Sequence, residues 1–208
     1  MSTILFVKAN NRPVEQAVSV KLYNRFLESY RNSHPEDTIT ELDLFAETLP
    51  YLDDTLINAN FKVANGMEIS LEEQQKKEIA DRYLNQFLAA DKVVFAFPLW
   101  NFSVPAVLHT YLDYLAQAGK TFKYTPEGPV GLIPDKKVAL LHASGGIYSE
   151  GPAAPLEMSL NYVTNMMRFF GVQNIVSIRI EGHNQLPDRA NQIIDKGLAQ
   201  AADAAVTF

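Results

Sequence analysis

The chain contains no cysteine in its 208 residues. That excludes disulfide frameworks, thiolate metal sites and a cysteine nucleophile together. Basic residues are in the minority, 18 Lys and Arg against 24 Asp and Glu, for a net charge of −6. A nucleic acid or an anionic membrane needs a clustered positive field, and the densest basic pairs, Lys76-Lys77 and Lys136-Lys137, read only as solvated surface. No apolar run approaches bilayer length, and Met1-Ser2-Thr3-Ile4-Leu5-Phe6-Val7 lacks the basic flank of a signal peptide. A cytoplasmic protein is expected. His34, His109, His142 and His183 lack metal-ligand spacing, so no metal is expected. The G-x-G-x-x-G, Walker A and G-x-S-x-G patterns are also missing, which removes support for dinucleotide and nucleoside-triphosphate sites and for a serine hydrolase.

What is present is an ordinary globular composition, 47% hydrophobic and 20% charged, that fits one domain over residues 1–208. Five short apolar runs recur: Ile4 to Val7, Ile39 to Leu44, Val93 to Phe97, Val138 to Ala143 and Ile175 to Ile180. Most are continuous, as strands covered on both faces are. Helical periods separate them, over Glu15 to Tyr30, from a Ser70-Leu71-Glu72-Glu73 capping box to about Ala89, from Pro105, over Leu156 to Phe170 ahead of Gly171, and from Pro187 onwards. The alternation predicts an α/β, flavodoxin-like doubly wound parallel sheet of five strands in the order 2-1-3-4-5, with helices on both faces. Residues 45–69 are long enough for an extra helix, and residues 120–134 read as a hairpin or excursion beside the sheet. His142 falls on a strand as a hydrogen-bonded core residue, and His109 on a helix at its surface or an interface.

In such a sheet, ligands bind beyond the carboxyl ends of the strands where strand order reverses. Three loops meet there. Residues 8–19 lead into a helix N-terminus, whose free N–H groups suit a single phosphate, although an ordinary turn looks the same. In Pro98-Leu99-Trp100-Asn101-Phe102-Ser103-Val104-Pro105, two prolines bracket the only tryptophan, a rigid setting for a flat heterocycle or simply a cap on the core. Ala143-Ser144-Gly145-Gly146 places paired glycines straight after a strand, where backbone amides can approach a ligand closely. His183, after the last strand, is a candidate to reach the pocket.

These loops, with Val7-Lys8-Ala9, Ala118-Gly119-Lys120-Thr121-Phe122, Tyr124-Thr125-Pro126-Glu127-Gly128-Pro129 and Ile180-Glu181-Gly182, resemble the bacterial FMN-dependent NADH-azoreductases and NADH:quinone oxidoreductases over essentially the whole chain. The resemblance implies bound FMN, with its phosphate at Asn10, Ala17, Val18 and Ser19. It implies flavin and ribityl contacts at Leu99, Trp100, Asn101, Phe102, Ala143, Ser144, Gly145 and Gly146. Better-known members carry Ser or Arg around positions 17 and 18, so Ala17 and Val18 imply weaker phosphate anchoring here. The resemblance further implies a homodimer with each flavin near the interface, and a substrate pocket walled by Phe122, Tyr124 and Phe169. Its chemistry is hydride transfer from NADH to FMN and then to a quinone or an azo compound. No side chain is strictly required as acid or base, with Tyr124 one candidate proton source. The alternative is a flavodoxin-type electron carrier without enzymatic activity.

Overall fold

The computed structural model describes residues 1–208. Five strands, β1 (Thr3–Lys8), β2 (Thr38–Asp43), β3 (Lys92–Pro98), β6 (Lys137–Ser144) and β7 (Asn174–Glu181), form one sheet in the order β2-β1-β3-β6-β7. Every pairing in it is parallel. In chain order of the sheet strands this is 2-1-3-4-5, as the alternating pattern predicts. β4 (Phe122–Thr125) and β5 (Gly128–Gly131) make a separate antiparallel hairpin within the 120–134 excursion. Inside residues 45–69 lies the helix α2 (Asp54–Ala64).

The sheet is dry on both sides, which explains the continuous apolar runs: all seven residues of β3 are buried. On one face α1 (Val18–Ser33) and α6 (Ala190–Thr207) cover Ile4, Phe6, Val94, Leu141 and Ile180. On the other, α3 (Leu71–Ala89), α4 (Ala106–Leu115) and α5 (Ser159–Phe169) cover Leu5, Val7, Phe95, Phe97 and Leu140. The capping box of α3 is complete: Ser70 N–H donates to Glu73 at 2.7 Å and Glu73 N–H to Ser70 Oγ at 3.2 Å.

Several boundaries differ from the sequence reading, each for a local reason. Pro105 is the N-cap of α4 rather than its first residue. α5 begins at Ser159, because the Glu157 carboxylate takes the N–H groups of Leu160 and Asn161, leaving Ala154–Leu156 as one 3-10 turn. Pro187 likewise opens a single 3-10 turn, Pro187–Arg189, ahead of α6. Lys136 is not solvated surface. It is buried, donates to Ala90 O at the end of α3, and lies 5.1 Å from the Phe87 ring centroid.

Candidate active site

β1, β3 and β6 are adjacent, so the loops leaving their carboxyl ends stand side by side, and the Leu99 N–H to Ala143 O bond at 2.9 Å carries the β3–β6 pairing one step further. In the first loop the buried Asn10 organises the turn. Its Nδ2 donates to Ser19 Oγ at 2.9 Å, and its Oδ1 accepts from Arg12 N–H at 3.0 Å. Ala17 caps α1 with no side-chain hydrogen bond, and the N–H groups of Ala17, Val18 and Ser19 bond to nothing within the chain. Three unpaired donors at the positive end of a 16-residue helix form an anion site. The Ser19 hydroxyl accepts from Asn10, so its own proton is available to a ligand.

The second loop closes on itself: Trp100 N–H donates to Ser103 O at 2.9 Å, and Ser103 N–H to Trp100 O at 3.0 Å. The two residues between them have positive φ, 50° at Asn101 and 68° at Phe102. Such a left-handed pair matches the tight turns usually built from Asn-Gly. For a bulky residue like Phe102 it costs about 1–2 kcal/mol. The turn leaves the Asn101 and Phe102 N–H groups without an intramolecular acceptor. It is tied down from below by Met158 N–H, which donates to Phe102 O at 3.2 Å.

The third loop presents two further unpaired amides, those of Gly145 and Gly146, while its carbonyls are all engaged. Gly182 N–H lies 3.2 Å from both Ser144 O and Gly146 O, and the Asn184 and Gln185 N–H groups donate to Gly145 O. Gln185 Oε1 accepts from Ile147 N–H at 2.9 Å. The β7–α6 connection is therefore a fourth wall that braces the glycine loop. A Cβ on Gly145 would lie 2.5 Å from Asn184 Nδ2, so any side chain there would have to push the Asn184 amide aside.

Two cavities of about 420 and 460 Å³ adjoin at Leu99, Gly145 and Asn184, which line both. The first runs along the α1 N-terminus and the second along Asn101, Phe102, Gly146 and Tyr148. Each lies in the range of small-molecule sites, about 300–1,000 Å³. The donors divide the same way, with a phosphomonoester matched at one end and a flat, polar-edged heterocycle at the other. The glycine cradle and the unpaired amides fit FMN.

A family described as having a flavodoxin-like fold matches residues 2–205. The chain belongs to this family. Among relatives of this flavodoxin-like chain, FMN-dependent NADH:quinone oxidoreductase 4 of Bacillus cereus is 62% identical over 208 residues, the whole of both chains. The FMN-dependent NADH:quinone oxidoreductase of Brevibacillus brevis is 58% identical, again over the whole of both. An azoreductase structure from Bacillus anthracis superposes with a TM-score of 0.99 at 62% identity, covering all of both chains. An FMN-dependent NADH-azoreductase from Bacillus anthracis in complex with FMN gives 0.91 at 32% identity, covering 99% of this chain and 98% of that one.

Within this flavodoxin-like frame, Asn10, Ala17, Val18, Ser19, Trp100 and Ala143 line the first cavity. Asn101, Phe102 and Gly146 line the second. Ser144 lines neither; it is buried, and its hydroxyl donates to Gly146 O at 2.9 Å. His183, expected to reach the pocket, lines the first cavity and lies apart from the expected substrate-pocket residues Phe122, Tyr124 and Phe169. Its Nδ1 is enclosed without a partner, and burial, with Lys21 nearby, holds its pKa below the usual histidine value. Phe122, Tyr124 and Phe169 do cluster, with ring centroids 5.4 Å (Phe122–Tyr124) and 4.5 Å (Phe122–Phe169) apart, but line neither cavity.

Sequence reasoning passed over Arg12 and Lys21 in the first cavity, Tyr148 and Gln185 in the second, and Asn184 in both. Arg12 was legible, since it sits inside the first loop; Asn184 and Gln185 needed the fold to bring β7–α6 alongside β6. Beneath the loops lies a buried chain of hydrogen bonds. His142 Nε2 is 2.8 Å from Ser159 Oγ, and Ser159 donates to Glu157 Oε1 at 2.8 Å, so the His142 proton resides on Nε2. Burial pushes the His142 pKa down to about 4.

Proposed function

We propose that this chain is an FMN-dependent NADH:quinone oxidoreductase that also reductively cleaves aromatic azo compounds to amines, protecting against electrophilic quinones. The observation that carries the reading is the meeting, in two adjoining cavities, of seven unpaired backbone N–H groups from three loops: Ala17, Val18, Ser19, Asn101, Phe102, Gly145 and Gly146. The names of full-length relatives at 62% identity place them among enzymes, which favours catalysis over a pure electron carrier.

When bound, FMN supplies two-electron chemistry between a nicotinamide and the acceptor. The chain's own residues bind and orient. Ala17, Val18 and Ser19 hold the phosphate through N–H groups, with Asn10 turning the Ser19 hydroxyl. The amides of Asn101, Phe102, Gly145 and Gly146 hold the polar ring edge and favour negative charge there. Leu99 and Trp100 would pack beside the ring system, and Phe102 and Tyr148, edge to face at 6.2 Å between ring centroids, line the outer cavity.

The reading extends to a cytoplasmic homodimer. Tyr124 is 75% exposed and Phe169 36%, a partly uncovered aromatic cluster where the β4–β5 hairpin meets the end of α5. In the dimer these residues, with Phe122, wall the substrate pocket near the subunit interface, and the Tyr124 hydroxyl is one candidate proton source. No nucleic acid or membrane enters this function, and no helix is long and apolar enough to cross a membrane. Sedimentation of the FMN-loaded protein and quinone-dependent oxidation of NADH test the two parts. A monomer with full activity would remove the shared pocket. NADH oxidation that no quinone accelerates would remove the enzyme.

A further inference from the structure

The phosphate end of the site has an electrostatic problem that backbone amides alone do not solve. The chain carries a net charge of −6, so a dianion approaches against the field of the whole molecule. α1 has no side-chain cap, and positions 17 and 18 are Ala and Val, which leaves Ser19 as the one hydroxyl in its first turn. Two cations line the same cavity, Arg12 from the loop and Lys21 from the second turn of the helix. Neither has a carboxylate within salt-bridge distance, although Glu15 shares the lining. Arg12 is held to the site by its own N–H, which bonds Asn10, the residue that also sets Ser19. Lys21 lines the cavity together with His183, whose pKa is lowered first by burial and then by the Lys21 charge.

We propose that Arg12 and Lys21 are specificity residues that read the charge of the cofactor's phosphomonoester, taking the part that hydroxyl side chains at positions 17 and 18 would otherwise play. This rests on the FMN reading of the site. It goes beyond that reading in assigning discrimination between FMN and riboflavin to two side chains acting through charge. Because Arg12 is exposed and Lys21 partly so, their attraction is screened by salt, whereas the amide bonds to the flavin edge are not. FMN affinity is therefore highest at low ionic strength and falls as salt rises, with riboflavin affinity flat.

The test is flavin affinity, read by fluorescence with FMN and with riboflavin at low and high sodium chloride, for the wild type and for R12Q/K21Q. In the wild type, FMN affinity is expected to fall by about tenfold or more with salt while riboflavin affinity stays constant. In R12Q/K21Q, FMN affinity is expected to be about ten- to a hundredfold weaker at low salt and nearly insensitive to salt, with riboflavin unchanged. Equal FMN affinity in variant and wild type overturns the assignment. So does a parallel loss of riboflavin, which marks a structural role. If R12Q/K21Q does not fold, the wild-type comparison decides alone: identical salt dependence for FMN and riboflavin overturns the proposal. A wild type that binds neither flavin overturns the FMN reading itself, an outcome distinct from FMN bound without charge discrimination.

Discussion

The side chain of Asn184 occupies the space that a Cβ on Gly145 would need, with Nδ2 2.5 Å and the Asn184 Cβ 3.2 Å from that position. The contact joins the loop after β6 to the loop after β7 at the seam between the two cavities. Gly145 has no positive φ, so what constrains the position is the space taken by Asn184 rather than backbone conformation. Gly145→Ala is therefore expected to displace Asn184 and weaken FMN binding by about tenfold, an overpacking cost on the order of 1–3 kcal/mol. Adding Asn184→Ala should restore most of the loss. A double variant no better than Gly145→Ala in a flavin titration would show that the pair is not coupled.

The turn at Asn101 and Phe102 stores backbone strain in a loop that offers its N–H groups outwards. Phe102 is 40% exposed, so more than half of its surface is still covered, in part by the Tyr148 ring. Phe102→Gly loses this part-buried ring but relieves the left-handed strain, so its flavin-free protein is expected to be about 1 kcal/mol more stable than that of Phe102→Ala, which loses the ring and keeps the strain. FMN affinity should fall in the same variant, because the loop is no longer held in its binding shape. Chemical denaturation of the apoprotein together with a flavin titration checks both halves. An apoprotein no more stable with glycine than with alanine at position 102 would contradict the account of strain.

His142 and Glu157 make the fold sensitive to acid. Burial holds the folded pKa of His142 near 4, below the ordinary value of 6.5. As the pH falls below about 6.5 the unfolded chain takes up a proton that the folded chain refuses, so stability is complete above that pH and declines towards 4. Glu157 acts in the same direction. Burial raises its pKa, but the Leu160 and Asn161 N–H groups and the Ser159 hydroxyl together bring it below the carboxylate norm. Urea unfolding is expected to show a loss on the order of 1–2 kcal/mol from His142 alone between about pH 7.5 and 5. His142→Gln, which keeps a donor for Ser159 without titrating, should flatten that slope. An unchanged slope in the variant would assign the acid sensitivity elsewhere.

Much of this architecture is visible in the amino-acid order, because its causes are local or periodic. The buried strands announce themselves as apolar runs, and the α3 capping box forms both bonds that Ser70 and Glu73 promise. Three loops could be placed together because strand order alone decides which carboxyl ends are neighbours. What stayed hidden depends on contacts distant in sequence. Lys136 looks like surface beside Lys137 until α3 ends against it, with Ala90 O as its acceptor. Asn-Phe is not a recognisable left-handed turn pair, and only the reciprocal Trp100–Ser103 bonds reveal it. The bracing of Gly145 by Asn184 and Gln185 joins residues about forty positions apart.

The central claim, a flavin enzyme that takes electrons from a nicotinamide and gives them to a quinone or an azo compound, is tested most directly by the visible spectrum of the FMN-loaded protein under anaerobic conditions. On adding NADH, the flavin absorbance is expected to bleach promptly, and a quinone or an azo dye should then restore it. Flavin that stays bound and oxidised in the presence of NADH would contradict the account and leave an electron carrier in its place.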